Sequence, residues 1–168
     1  GKPLLNQFAA AEWLEKGGNS LERERWDESL QHFNQAIQLN PRYADAYFAR
    51  GAAYFYKKMY DQALQDFSKA MELAPTDAVF CFARGATYMA QGVLFSHSVK
   101  DLTKAIELDP TYGTAYYVRG AAYASLKNCD MAEKDFRKAC ELGEARGCKA
   151  ECTGKDPSTF DDSNEDED

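Results

Sequence analysis

Apolar and small side chains recur along this chain at the three- and four-residue spacing of an amphipathic helix. Ala63, Phe67 and Ala70 form one such set, and similar sets precede and follow it. Each set belongs to a segment of about 12 to 15 residues that a polar turn or a proline ends. No segment alternates with a period of two, and none is apolar for long enough to span a bilayer. The pattern predicts an all-α protein of short helices without membrane insertion.

A block of eight residues occurs three times and begins at Tyr47, Cys81 and Tyr116, so the copies start 34 and 35 residues apart. A fixed period of this size is typical of stacked helix pairs, because one pair cannot bury its apolar stripe alone. An earlier and more divergent copy opens at Trp13. We therefore predict four units, at about residues 10–43, 44–77, 78–112 and 113–144.

The spacing of aromatic, glycine and alanine positions within each unit is also distinctive. In the second unit the opening aromatic, the glycine and the second-helix aromatic are Tyr47, Gly51 and Phe67. This pattern resembles the tetratricopeptide repeat (TPR) family. The resemblance implies a right-handed α-solenoid of about four antiparallel helix pairs. We expect this domain to occupy residues 1–152 and to end in a short capping helix at about residues 145–152.

The resemblance also implies a binding groove on the concave face that the first helix of each pair lines. In this sequence its positions are aromatic, aliphatic or small, which is typical of a groove that accepts a helix or an extended peptide. The alternative is that these side chains only pack against the neighbouring repeat. The groove residues implied are Phe48, Ala49, Ala52, Phe55, Val79, Phe82, Ala83, Ala86, Met89, Tyr117, Val118, Ala121 and Ala124.

Some relatives bind the acidic C-terminal tails of heat-shock chaperones through a clamp of Lys, Asn and Arg side chains. The positions that match this clamp hold none of these residue types, and none of their side chains can donate a hydrogen bond to a carboxylate. We therefore expect no binding of chaperone tails. The clamp positions in this sequence are Leu14, Gly18, Ala49, Val79 and Ala83.

An arginine inside each block is followed sixteen or seventeen residues later by an aspartate. In the first unit both members change together, to Lys16 and His32. A pair that recurs three times and changes together once is typical of an ion pair between the two helices of a unit, rather than of a ligand site. The predicted structural pairs are Arg50 with Asp66, Arg84 with Asp101, and Arg119 with Asp135.

Four of the five cysteines lie near the C-terminal end, whereas Cys81 replaces an opening aromatic and is predicted to be core. Cys140 and Cys148 lie about equally far from a turn, where a disulfide could close, and the segment resembles secreted cysteine-rich relatives stapled at this spacing. Cys129 lies 11 residues before Cys140 on the same predicted helix, about 16 Å away, so those two cannot pair. The alternatives are a reduced structural end, a metal site of Cys140, Cys148 and Cys152, or redox chemistry. The odd total leaves at least one free thiol.

The net charge of −7 comes entirely from the C-terminal end. Residues 156–168 contain seven of the 27 acidic residues and no Lys or Arg, so 27 − 7 leaves 20 acids against 20 Lys and Arg elsewhere. A body without a basic excess is unlike proteins that bind nucleic-acid phosphates, so no nucleic-acid partner is expected. The acidic and polar residues 153–168 are expected to form a disordered tail.

Catalytic motifs are missing from the sequence. Its only histidines, His32 and His97, have no nucleophile or metal partner at a recognisable spacing, and no phosphate-binding glycine loop occurs. We expect a non-enzymatic adaptor or co-chaperone-like scaffold, without metal or cofactor, that binds a peptide or helix of a partner protein. The alternatives are a self-assembling scaffold and a thiol or metal module at the C-terminal cysteines. Oligomeric state and compartment stay open, with a monomer and the cytoplasm slightly favoured over a periplasmic or secreted location.

Overall fold

The computed structural model describes residues 2–153, so the predicted tail lies, from residue 154 onward, outside the described residues. Within this range the chain forms nine helices and no strand. The first eight helices form four pairs, and a short ninth helix follows them. The helices are α1 (Lys2–Glu22), α2 (Trp26–Leu39), α3 (Ala44–Tyr56), α4 (Tyr60–Leu73), α5 (Ala78–Gln91), α6 (Phe95–Leu108), α7 (Gly113–Ser125), α8 (Cys129–Glu141) and α9 (Ala145–Lys149).

The pairs stack in chain order, which confirms the predicted all-α solenoid. Each first helix packs against the second helix of its own pair, and each second helix packs against the first helix of the next pair. The first helices of successive pairs also touch one another, α1 with α3, α3 with α5 and α5 with α7. No comparable contact joins successive second helices in the part of the chain that the structure describes. The stack therefore curves with its first helices on the inner side.

Short turns reverse the chain within each pair. Glu24, Lys58 and Lys127 adopt φ angles of 57°, 59° and 58° in the turn that follows a first helix. This left-handed conformation ends a helix and redirects the chain, although it is unfavourable for residues other than glycine. In the third pair Gly92 occupies this place with a φ of 76°. Every pair is thus closed by the same backbone device.

Glycine in the first helix lets the second helix approach closely in all four pairs. The distance from an added Cβ to the facing side chain would be 2.3 Å for Gly17 and Phe33, 2.8 Å for Gly51 and Phe67, 2.8 Å for Gly85 and Leu102, and 2.7 Å for Gly120 and Phe136. Carbon atoms in contact normally lie about 3.5 to 4 Å apart. A side chain at these positions would therefore push the two helices apart, which explains why a poor helix former recurs there.

The first helix begins earlier than predicted. The sequence predicts the first repeat unit at about residues 10–43. In the structure α1 begins at Lys2, and residues 2–8 are all exposed. The repeat pattern could only locate the part of α1 that packs against α2, because that part alone carries the repeated apolar positions. The additional turns extend beyond the stack.

The C-terminal end differs from the prediction in two respects. The capping helix α9 ends at Lys149 rather than at residue 152, and Cys129 forms a disulfide with Cys152 that the sequence did not predict. The chain turns after α8 and runs back along it, which brings residue 152 to the first residue of α8. Cys140 and Cys148 form a second disulfide, with their Cα atoms 4.7 Å apart.

Residues 145–152, with these two disulfides, form what we call the C-terminal clasp. A Cβ added to Gly147 would lie 2.6 Å from the carbonyl oxygen of Phe136, so α9 lies directly against the backbone of α8. The clasp therefore covers the end of the last helix pair, where the first helix of another pair would otherwise pack.

The two disulfides leave one cysteine unpaired and divide the three cysteines of the metal alternative between them. Cys81 is the free cysteine, and burial raises the pKa of its thiol. Cys140, Cys148 and Cys152 do not converge on one point, because their sulfur atoms belong to two different disulfides. Among residues 2–153, no three His, Cys, Asp or Glu side chains are placed to hold a metal ion. No helix in this range is long and apolar enough to cross a membrane.

The adjacent glycines of α1 provide a matched test of the close helix approach. Gly17→Ala should lower the free energy of unfolding by about 1 to 3 kcal/mol, because the new methyl group overlaps the fully buried Phe33 ring. Gly18→Ala should be neutral or should stabilise by up to about 1 kcal/mol, because nothing lies within 4 Å of its added Cβ. Urea denaturation followed by circular dichroism measures both, and equal effects would contradict the close approach.

The clasp makes a prediction about thiols and stability. In unreduced, denatured protein only Cys81 should react with an alkylating agent, whereas all five cysteines should react after reduction. Reduction should lower the free energy of unfolding by about 2 to 4 kcal/mol per disulfide, because the disulfides close chain segments of 8 and 23 residues. Mass spectrometry counts the thiols. Five reactive thiols without reduction would contradict the clasp.

Candidate functional site

The candidate groove residues lie on the inner helices α3, α5 and α7, and nearly all are half-buried. Val79 is the most accessible, with 44% of its surface exposed. None of them carries a charge. The half-buried members are Phe48, Ala49, Ala52, Phe55, Phe82, Ala83, Ala86, Met89, Tyr117, Val118 and Ala124.

Ala121 departs from the groove prediction. Only 5% of its surface is exposed, and it belongs to a buried cluster with Ala132 and Phe136. Ala150 and Cys152 of the clasp also pack against this cluster. The sequence could not indicate this burial, because the segment that contributes to it returns to α8 only through the unpredicted disulfide. Ala121 is therefore a core residue.

The aromatic residues of the candidate groove also pack between repeats. The ring centroid of Phe48 lies 5.0 Å from that of Phe80 in the next pair, and the ring of Phe82 lies 4.9 Å from Tyr112. These separations are typical of favourable aromatic pairs. Packing against the neighbouring repeat, the alternative reading of these residues, thus buries part of the surface of each ring. The rest of the surface stays accessible, because the rings are only half-buried.

Tyr117 lies where the clasp meets the inner helices. The guanidinium carbon of Arg146 lies 4.6 Å from the centroid of its ring. Glu144 accepts a hydrogen bond from Nε of Arg146 at 2.9 Å and another from Oγ1 of Thr114 at 3.0 Å. These hydrogen bonds, chiefly that from Arg146, hold the pKa of Glu144 down at about 2. The clasp therefore sets the C-terminal limit of the candidate groove.

Each predicted arginine–aspartate pair has bidentate geometry. Nε and Nη2 of Arg50 each donate to a carboxylate oxygen of Asp66 at 2.7 Å. The pairs in the third and fourth units have the same pattern at 2.7 and 2.8 Å. Hydrogen bonding to the aspartate raises the pKa of Arg50 and Arg84. The arginine on the first helix and the buried aspartate on the second therefore join the two helices of each pair.

The same arginines also reach a third helix, a contact that the repeated residue types did not predict. Their Nη1 atoms donate to a polar side chain on the second helix of the preceding pair. The three bonds are 2.8 Å from Arg50 to Asn34, 3.0 Å from Arg84 to Ser68, and 3.1 Å from Arg119 to Thr103. A signal was present, because each polar residue lies sixteen positions before its arginine. Each guanidinium thus joins two helices of one pair and one helix of the pair before it.

The first pair lacks this network, as the joint change to Lys16 and His32 indicated. Nζ of Lys16 lies 4.5 Å from the ring centroid of Trp13, in a cation–π contact. Nδ1 of His32 lies 3.3 Å from the hydroxyl of Ser20, and its ring lies 5.5 Å from that of Trp13. The first pair therefore replaces the ion pair with an aromatic and hydroxyl cluster.

Models of known families match three stretches of the chain. A model described as TPR repeat matches residues 21–58, and models described as tetratricopeptide repeat match residues 44–77 and 113–144. No curated protein matches the chain by sequence.

Several solved structures share the fold. MamA 41-end from Desulfovibrio magneticus RS-1 is 20% identical, with a TM-score of 0.74 over 82% of this chain and 77% of that one. TTC0263, a thermophilic TPR protein of Thermus thermophilus, is 20% identical, with a TM-score of 0.70 over 81% of this chain and 75% of that one. The Arabidopsis OM64 TPR domain is 26% identical, with a TM-score of 0.67 over 70% of this chain and 96% of that one.

The ion pairs predict an asymmetric effect on stability. Arg84→Ala should lower the free energy of unfolding by about 2 to 4 kcal/mol, because it leaves the Asp101 carboxylate, only 6% exposed, without its partner. Asp101→Ala should cost less, because the Arg84 side chain is 24% exposed and can turn towards water. In urea denaturation the double variant should lose less stability than the sum of the two single variants. Additive losses would contradict the coupling.

Proposed function

The chain belongs to the tetratricopeptide repeat family, and from this membership we propose that its inner face binds an apolar segment of a partner protein. Repeat proteins of this family are generally non-catalytic interaction scaffolds. The observation that carries the proposal is the run of uncharged, half-buried side chains along α3, α5 and α7.

The arginine network supports this assignment of the inner face. Nε, Nη1 and Nη2 of Arg50, Arg84 and Arg119 are all engaged by side chains of second helices. These charges are therefore directed between helices and not towards a ligand on the inner face. A partner would meet methyl groups, aromatic rings and the Met89 thioether, and its own apolar side chains would gain most from burial there.

The spacing between repeats suggests the spacing of the apolar side chains that the groove would bind on its partner. Packed helices lie about 8 to 10 Å apart. Side chains seven residues apart on a helix, or three residues apart on an extended strand, are separated by about 10 Å. One partner side chain for each repeat is thus compatible with either conformation. The partner we propose is an amphipathic helix or an extended peptide with apolar anchors at one of these intervals.

The disulfides change the proposed compartment. The sequence slightly favoured the cytoplasm, but two disulfides are the state expected of an oxidising space such as the periplasm or the cell exterior. We therefore propose that the protein works in an oxidising compartment, with its clasp closed.

Two equally exposed apolar residues allow a controlled binding experiment. Peptides selected from a displayed random library on the wild-type protein should carry regularly spaced apolar anchors, and Val79→Asp should weaken their binding at least about tenfold, or roughly 1.4 kcal/mol. The physical reason is that an unpaired carboxylate would be buried in an apolar interface. Leu126→Asp is the control, because Leu126 is also 44% exposed but lies at the turn after α7.

Isothermal titration calorimetry with the selected peptides compares the variants, and thermal unfolding checks that both are folded. Equal losses from Val79→Asp and Leu126→Asp would contradict the proposal. Selection of acidic peptides without apolar anchors would contradict it as well.

A further inference from the structure

The N-terminal part of α1 carries an apolar stripe that nothing covers among the described residues. Leu4, Leu5 and Phe8 are 61%, 68% and 69% exposed. Phe8 follows Leu5 by three residues and Leu4 by four, and positions at these spacings fall on the same side of a helix. At 100° per residue, this stripe lies on the side of α1 roughly opposite to Ala10 and Gly17, which are buried.

One edge of the stripe, at Leu5, lies on a side of the helix that is covered in the other pairs. Leu5 precedes Lys16 by eleven residues, or three helical turns, so the two residues share a face. Lys16 occupies the repeat position of Arg50, which bonds to the second helix of the preceding pair. Each of α3, α5 and α7 packs against such a preceding helix, whereas α1 has none within residues 2–153. The stripe therefore lies at the end of the stack that no other helix covers within the described residues.

Two further facts indicate that a cover is needed. Residues 2–8 form about two helical turns in which every residue is exposed, and turns without tertiary packing are only marginally stable in water. Large apolar side chains that cluster on a surface mark interaction sites. The other end of the stack is closed by the clasp, so it does not offer a matching apolar surface.

We propose that α1 pairs with α1 of a second copy of this chain, in antiparallel orientation, to form a symmetric dimer. Charge complementarity selects this occupant. With a crossing point between residues 6 and 7, Lys2 of one copy lies within one residue of the position opposite Glu12 of the other, and Leu4 lies equally close to the position opposite Phe8. Neither Lys2 nor Glu12 has an ion-pair partner in the described part of one copy. Two identical contacts then form around the two-fold axis, and the assembly closes at two copies.

The dimer is tested by sedimentation velocity on the full chain over a wide concentration range. The wild type should shift from monomer to dimer, and Phe8→Glu should raise the dissociation constant at least about tenfold. Val93→Glu is the matched control, because Val93 is 66% exposed but lies in the turn between α5 and α6. The thermal midpoint of monomeric Phe8→Glu should equal that of the monomeric wild type.

The outcomes are distinct from those of peptide binding. A wild type that stays monomeric at every concentration would overturn the proposal and leave a helix of another protein as the occupant. Equal effects of Phe8→Glu and Val93→Glu would overturn it too. Neither result touches the inner face, which Val79→Asp probes separately.

Charge exchange tests the antiparallel orientation. Glu12→Lys alone should weaken the dimer, because it places a second positive charge near Lys2 of the other copy. Combining it with Lys2→Glu should restore the dimer, because the opposite charges meet again in exchanged positions. A double variant no better than the single one would overturn the antiparallel pairing.

Discussion

Each arginine of the repeated block holds three helices in one register. Its guanidinium binds the aspartate of its own pair through two hydrogen bonds and a polar side chain of the preceding pair through a third. The two hydrogen bonds to the aspartate fix the angle between the helices of one pair. The third hydrogen bond fixes how that pair is placed on the pair before it. Because the guanidinium is planar and rigid, these two relations are linked at every internal junction. The curvature of the stack and the position of its inner helices follow from this repeated geometry.

The same network shapes the chemistry of the inner face. Arginine and aspartate compensate each other between the helices, so the first helices present small, aliphatic and aromatic side chains on the side that the curvature turns inward. The glycine that follows each arginine has no side chain, so the side chains of the second helix pack directly against the backbone of the first helix. The two ends of the stack differ, since the clasp covers the last pair covalently while the outer side of α1 stays accessible.

Periodic features could be predicted from the sequence, because the residues that produce each of them recur in several repeats. The four pairs, their inner and outer helices and the spacing of Arg50 and Asp66 all rest on repetition at 34 or 35 residues. Features that occur once could not be predicted in this way. The start of α1 has no counterpart in other units, the Cys129–Cys152 disulfide depends on where the chain returns after α9, and the burial of Ala121 depends on the same return. Asn34, Ser68 and Thr103 were periodic too, but their residue types differ, which concealed their shared role.

The central claim is that recognition takes place on the inner face formed by α3, α5 and α7. A photoreactive amino acid placed at position 79 or at position 126 tests it directly, because these two positions are equally exposed and only position 79 lies among the candidate groove residues. With a selected peptide bound, irradiation should attach the peptide to the protein carrying the group at position 79, as mass spectrometry would detect, and not to the protein carrying it at position 126. Attachment at position 126 alone, or equally at both positions, would contradict the account.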